Sequence, residues 1–198
     1  MGDRPDHPNI AGRDRLAVAH VLSDAGDNAA TGDGGPKPAS TGGEVSSVAG
    51  DLSADIQDEN LRQLYQYWKA KCGQRQFPSR QDIDPLDFPY VLGWVMLIDV
   101  AHEPLQFRFR LYGTELAQRM RLDMTGKTLD QHPQPEFRAY LEQSWRTVLE
   151  CRHPTHGFFD RYVDSRMLRF ESLRLPLSSD GSVIDMLMIA ASALQPTT

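Results

Sequence analysis

Residues Gly93–Asp130 read GWVMLIDVAHEPLQFRFRLYGTELAQRMRLDMTGKTLD, and the alternation within them decides the fold class. Side chains alternate across a strand, so a first strand places Trp94, Met96, Ile98 and Val100 on one face. A second places Phe107, Phe109 and Leu111 on one face and Arg108, Arg110 and Tyr112 on the other. Gly113 ends that strand, and Thr114 is suited to cap a short helix over Glu115–Arg121. Two antiparallel strands then share an apolar face, and the chain after Thr114 has to fold back over it.

Upstream, Leu61, Leu64, Tyr65, Trp68 and Cys72 fall at i, i+3, i+4, i+7 and i+11, the stripe of an amphipathic helix. Asp55 or Asp58 can cap its start, and Gly73 can end it with a positive φ. The following FPSRQDIDPLDFP carries Pro78, Pro85 and Pro89 and reads as an irregular connector. Downstream, HPQP interrupts the chain, and Pro135 suits the first turn of a helix lined by Phe137, Leu141, Ser144, Trp145 and Val148. Three strands follow: His156–Val163, Met167–Ser178 and Val183–Ala193, the last two joined through Ser179-Asp180-Gly181.

Composition separates a tail from a domain. The 8 Phe, 6 Tyr and 3 Trp all lie at or after Tyr65. Residues 1–55 carry 4 Lys+Arg against 9 Asp+Glu, and the remainder 17 against 18, so the acidity belongs to the tail. Seven glycines fall among the 28 residues Ser23–Gly50. Such a segment buries too little apolar surface to offset its ordering entropy, so residues 1–55 are expected to be a disordered acidic tail, dispensable for folding, before a domain over 56–198. Neither part has the clustered basic excess of a nucleic-acid binder. No apolar run approaches the ~18 residues of a membrane span, and LAVAHVL at 16–22 is too short for a signal-peptide core. Cys72 and Cys151 form no CxxC pair. A cytoplasmic protein that contacts neither membrane nor nucleic acid is the expectation.

Individual motifs point to no enzyme chemistry. Thr125-Gly126-Lys127-Thr128 has the end of a phosphate-binding loop, but the position that requires glycine is Arg121, and a helix rather than a strand precedes it. Cys151, His153 and His156, with His132 upstream, offer metal-ligand types. Pro154 separates two of them, and they read as ordinary surface or strand-start histidines. Asp82 and Asp84 lie in the connector beside Pro85, where caps and turns explain them. No catalytic constellation and no metal site is expected.

The order helix, strand, strand, short helix, helix, three strands resembles a PAS domain over roughly residues 56–194. The likeness is to a bacterial subgroup of compact, stand-alone PAS proteins. It rests on Tyr65, Tyr67 and Trp68 in the first helix, and on Pro78-Ser79-Arg80 with Asp84-Pro85 in the connector. Arg110, Gly113 and Thr114 at a strand end, the Thr125-Gly126-Lys127 turn, and Leu175-Pro176-Leu177 before a hairpin complete it. The resemblance implies an α+β fold: a five-stranded antiparallel sheet with helices on one face and an N-terminal amphipathic helix. It implies a sensory or regulatory signalling module working through protein contacts, with a small apolar ligand as an option. Ligand capture without a signalling partner is the alternative. Haem and flavin are not supported, since no histidine is singled out and the photoadduct stretch of flavin photoreceptors is missing.

In that fold the first and last strands are neighbours. A small apolar pocket would then be lined by Trp94, Met96, Phe109, Trp145 and Phe159, with Met186 and Met188 close by. Asp99 should pair with Arg108 or Arg110 across the hairpin. The stripe of Leu61, Leu64, Tyr65 and Trp68 must be buried, because an isolated helix of this length is marginal. Its cover is either the outer sheet face, with Arg110 and Tyr112, or the same helix of a second subunit. PAS domains often dimerise through this helix, so a homodimer is expected there.

Overall fold

The computed structural model describes residues 43–46, 50–163 and 166–194. The expectation of a disordered tail falls, for residues 1–42 and 47–49, outside the described residues. Nine elements follow in order: β1 (Gly43–Ser46), α1 (Glu59–Cys72), β2 (Val95–His102), β3 (Leu105–Tyr112), α2 (Thr114–Met120), α3 (Pro135–Cys151), β4 (Thr155–Val163), β5 (Arg166–Leu177) and β6 (Met186–Ala193). The sheet is antiparallel, with strand order β1-β4-β5-β6-β2-β3. Its last five strands are the five the sequence implies, and the first and last of those, β2 and β6, are paired. The addition is β1, which pairs with the outer edge of β4. Packing also reaches N-terminal of residue 56. Leu52 is buried, and its N–H donates to the Tyr65 hydroxyl at 3.3 Å. A chain begun at Ala54 would therefore lack a core residue.

The helices divide between the two sheet faces. α2 and α3 cover the inner face, carrying Met96, Phe109, Phe159, Phe170 and Ile189, while α1 crosses the outer face over β5 and β6. Asp58 caps α1 by accepting the Leu61 N–H at 2.9 Å, and Gly73 follows its end at φ 58°. Leu61, Leu64, Tyr65 and Trp68 are all at most 5% exposed within a single chain. Trp68 Nε1 donates to the Pro176 carbonyl at 3.0 Å. The stripe is thus an intramolecular cover, not the dimer interface, because the outer face of β5 and β6 is as apolar as the helix and lies in the same chain.

Strand faces differ from strict alternation at one place. The β2–β3 register runs Ile98↔Phe109 but Leu97↔Leu111, so Arg110 is the extra residue of a β-bulge. Beyond the bulge the faces exchange. Leu111 turns outward, and Tyr112 turns inward beside Phe109, ring centroids 5.7 Å apart. Tyr112 is therefore no part of an outer interface. Arg110 stays outward, its Nε 2.6 Å from Asp99 Oδ1, while Arg108 Nη2 is 2.9 Å from Asp99 Oδ2. Both arginines are more than half exposed, so this is a surface ion pair worth at most ~1 kcal/mol. Gly113, not Thr114, is the N-cap of α2, and it sits so close to the backbone before β2 that a Cβ would lie 2.3 Å from the Gly93 carbonyl oxygen.

One buried contact ties the start of α1 to the sheet. Glu171, fully buried on the outer face of β5, accepts the N–H groups of Gln57 and Asp58, each at 2.7 Å, and meets His156 Nε2 at 2.6 Å. Burial works to raise its carboxyl. The hydrogen bonds from His156, Gln57 and Asp58, with the His156 charge, outweigh that and hold it below its ordinary 4.5. His156 is accordingly a buried partner rather than a surface histidine.

Two outcomes are expected. Leu64→Glu with Trp68→Glu should unfold the chain, because two buried charges offset most of a typical ~5–15 kcal/mol stability; a folded monomer by circular dichroism and sedimentation would restore the intermolecular reading. Glu171→Gln sets an amide NH2 against a buried N–H and should cost about 1–3 kcal/mol at neutral pH. A carboxyl held low in the fold stabilises above its ordinary value and loses that contribution as pH falls through the folded value. Wild-type urea midpoints should therefore drop on acidification below 4.5 more steeply than those of the variant.

Candidate functional site

Between the inner sheet face and α2 and α3 lies a cavity of about 30 Å³, counted as space open to the centre of a water molecule. At roughly 10–15 Å³ each, that holds about two waters, and flavin and haem are far larger. Local sequence builds each wall. Alternation brings Met96, Phe109, Phe159 and Ile189 inward from four strands, and the apolar side of α3 supplies Leu141 and Trp145. Trp145 meets Phe107 and Phe109 edge-on at 5.2 and 5.5 Å, a favourable aromatic geometry. Phe159 stacks on Phe170 at 5.2 Å and touches Phe137 and Tyr140.

Polar groups enter this apolar space at a few points. Arg174, 2% exposed, projects from β5 and donates through Nη2 to the Tyr140 hydroxyl at 2.8 Å. Its Nη1 is buried and has no hydrogen-bond partner. The second buried side-chain atom of this kind among the described residues is Thr155 Oγ1, on the residue directly opposite Arg174 in the β4–β5 ladder. Arg161, also in the lining, lies over the Phe137 ring at 4.0 Å and donates to Gln134 Oε1. Burial lowers its guanidinium below the ordinary arginine range and raises the Tyr112 phenol. His132 is buried in the lining too. Burial, followed by the Arg161 charge, lowers it below 6.5, and its Nδ1 accepts the Gln134 N–H at 3.2 Å. No carboxylate lines the cavity among the described residues.

Of the pocket residues read from sequence, Met96, Phe109, Trp145 and Phe159 surround this one cavity. Trp94 does not. It belongs to the 3-10 turn before β2, half-buried, with the Arg119 guanidinium 5.4 Å from its ring. Met186 and Met188 pair with Asp99 and Leu97 on the outer face, opposite Met96. Of the interface residues read from sequence, Tyr112 lines the cavity, Arg110 is on the surface, and the α1 stripe is core. Arg161, Arg174, Tyr140 and His132 were missed. The signal for Arg174 was present: it stands between Leu173 and Leu175 in a strand flanked on both sides, where an unpaired charge is costly. The remaining motifs are structural. Gly126, at φ 80°, donates to the Phe109 carbonyl, and Lys127 Nζ donates to the Asp123 carbonyl at 2.9 Å, so the TGKT turn docks on the edge of β3. Among the described residues no His, Cys, Asp or Glu cluster could hold a metal, and no helix is long and apolar enough to cross a membrane.

A family profile described as PAS domain matches residues 56–189, more than half of the chain. The chain belongs to the PAS domain family. Comparison with curated proteins returned no match, and neither did comparison with solved structures. PAS domains are sensory and binding modules, and they often pair with one another or contact signalling partners.

Phe109→Ala should cost about 3–5 kcal/mol, since the ring is fully buried between the sheet and Trp145. Trp94→Ala should cost clearly less, because the ring is only half-buried, with the Arg119 guanidinium over it. Urea titration of both variants checks the difference, and equal losses would place Trp94 in the core.

Proposed function

We propose that the chain is a non-enzymatic sensory or regulatory module. In this reading a small ligand in the inner cavity is the input, and a protein partner at the outer face reads the output. One observation supports it above all: β5 touches both places. Ser172 and Arg174 line the cavity, while Glu171, on the opposite face of the same strand, holds the first N–H groups before α1. Because side chains alternate, a small shift of β5 toward a ligand changes the grip of Glu171 on Gln57 and Asp58. A two-state element biased by occupancy is what signalling requires. Homodimerisation in this scheme uses the polar side of α1, since the apolar stripe is occupied.

The competing reading is ligand capture with no signalling partner. Native mass spectrometry of the full chain as purified, followed by hydrogen exchange before and after refolding to strip any retained molecule, separates the two. The sensory reading expects a retained small molecule whose removal changes protection at Gln57 and Asp58. Retention with unchanged exchange at those amides favours simple capture. No retention and no change would overturn the cavity as input.

A further inference from the structure

We infer that the outer edge of β4 is a docking site for an extended, acidic segment of a partner protein, and that β1 occupies it as an intramolecular stand-in. The inference names the partner contact of the reading above and rests on that half of it alone. β1 lies before residues 56–189, which the family profile matches, so the edge it covers belongs to the domain and β1 does not. It is four residues long against nine in β4, and it pairs antiparallel from Gly43↔Phe159 to Ser46↔His156. Among the described residues, Asp160–Val163 pair with β5 and carry no strand on their other side. The unpaired N–H and C=O groups of an edge strand are a template for a further strand, and strand addition is a recurrent mode of peptide capture. A strand longer than β1 can start on Asp160–Val163 and displace β1 pair by pair. A second copy of β1 would pair no further than the one in place, which favours a different chain as the occupant.

The side chains beside the edge set what that strand carries. Alternation puts Phe158, Asp160 and Tyr162 on the outer face. Tyr162, 56% exposed, stands opposite Met167, 47% exposed, at the end of the hairpin. Two large apolar side chains in register form a patch rather than a scattered exposure. Further in, the Arg169 guanidinium lies 5.1 Å from the centre of the Phe158 ring. β1 shows what suits these positions. Its register places Glu44 opposite Phe158, the ring that Arg169 covers, and Val45 opposite Gly157, which has no side chain of its own. A partner strand in the same register carries an acidic residue and then a β-branched one at those positions. Four residues before the acidic one it carries an apolar residue, opposite Tyr162. β1 also ends opposite His156, whose Nε2 meets Glu171 at 2.6 Å. Displacing β1 therefore acts next to the buried contact that holds Gln57 and Asp58.

The probe is an acetylated and amidated peptide, Thr-Val-Thr-Thr-Thr-Glu-Val-Thr-Thr, whose glutamate falls opposite Phe158, with a second peptide in which lysine replaces that glutamate. In a chemical-shift titration of the full chain the glutamate peptide should move the β4 amides of Asp160–Val163, and the lysine peptide should bind at least about tenfold more weakly. Arg169→Glu, at an exposed position, should reverse that preference. Glu44→Pro with Val45→Pro removes β1 from the edge, because adjacent N–H groups in a strand point to opposite sides and one of the two faces β4. Freeing the edge should tighten the glutamate peptide at least about fivefold, since a site that is covered most of the time binds more weakly by the fraction of time it is free. Equal binding of the two peptides, shifts confined to other elements, or unchanged affinity in the proline variant overturns the proposal. Self-association of the proline variant in sedimentation, in place of peptide binding, assigns the edge to a second copy and overturns it too. Should the proline variant fail to fold, the preference of Arg169→Glu decides. Peptide bound with unchanged exchange at Gln57 and Asp58 would leave the docking site standing and remove it from the sensory reading.

Discussion

Two ionisable side chains three residues apart on one strand, Glu171 and Arg174, are both buried, and the rest of the structure is arranged around that burial. An odd spacing along a strand puts them on opposite faces. Removing a charge from water is tolerated only where partners replace the water. On the outer face the partners exist: His156 from the adjacent strand and the two N–H groups that precede α1. Glu171 therefore fixes where the chain enters α1. The stripe of Leu61, Leu64, Tyr65 and Trp68 then falls on the apolar outer surface of β5 and β6. On the inner face the partners are incomplete, and a cavity remains beside Arg174.

That asymmetry links architecture to function. A sheet covered on both faces is stiff, and β5 is held by β4 on one side and β6 on the other. Displacing it at Arg174 moves Glu171 with it, because the two share one backbone. The helix on the outer face is in turn secured at its first turn by Asp58, which accepts both the Leu61 N–H and the Ser192 hydroxyl at 2.6 Å. The inner cavity and the helix on the outer face are thereby separated by a single layer of backbone.

The sheet edges show different solutions to unpaired backbone groups. β3 is covered by the TGKT turn, which trades backbone hydrogen bonds with Phe109. β4 receives the four-residue strand β1 from the segment before the domain. The bulge at Arg110 leaves Asp99 opposed by two arginines and turns Tyr112 into the cavity. A single extra residue thus alters both the surface charge and the lining.

Much of this was legible in the sequence. Period-two alternation in Gly93–Tyr112, the 3.6-residue stripes of α1 and α3, the prolines of the connector and the Ser-Asp-Gly hairpin are local signals. They determined an α+β chain of PAS order, and the buried face of α3 from Phe137 to Val148 is the one read from spacing. What covers a stripe is not a local property: Leu64 and Trp68 would be equally apolar against a second subunit, and only the placement of β5 and β6 in the same chain decides for the sheet. The bulge was invisible because alternation alone does not say which strand carries an extra residue, so Tyr112 and Leu111 were assigned to each other's faces. Trp94 and Arg174 are the same lesson in opposite directions. Alternation by itself put Trp94 in the core, though the chain is still turning there. It left Arg174 unremarked, because whether a charge in a strand is paired depends on which side chains other elements bring to it, and that is settled only when the sheet and helices close.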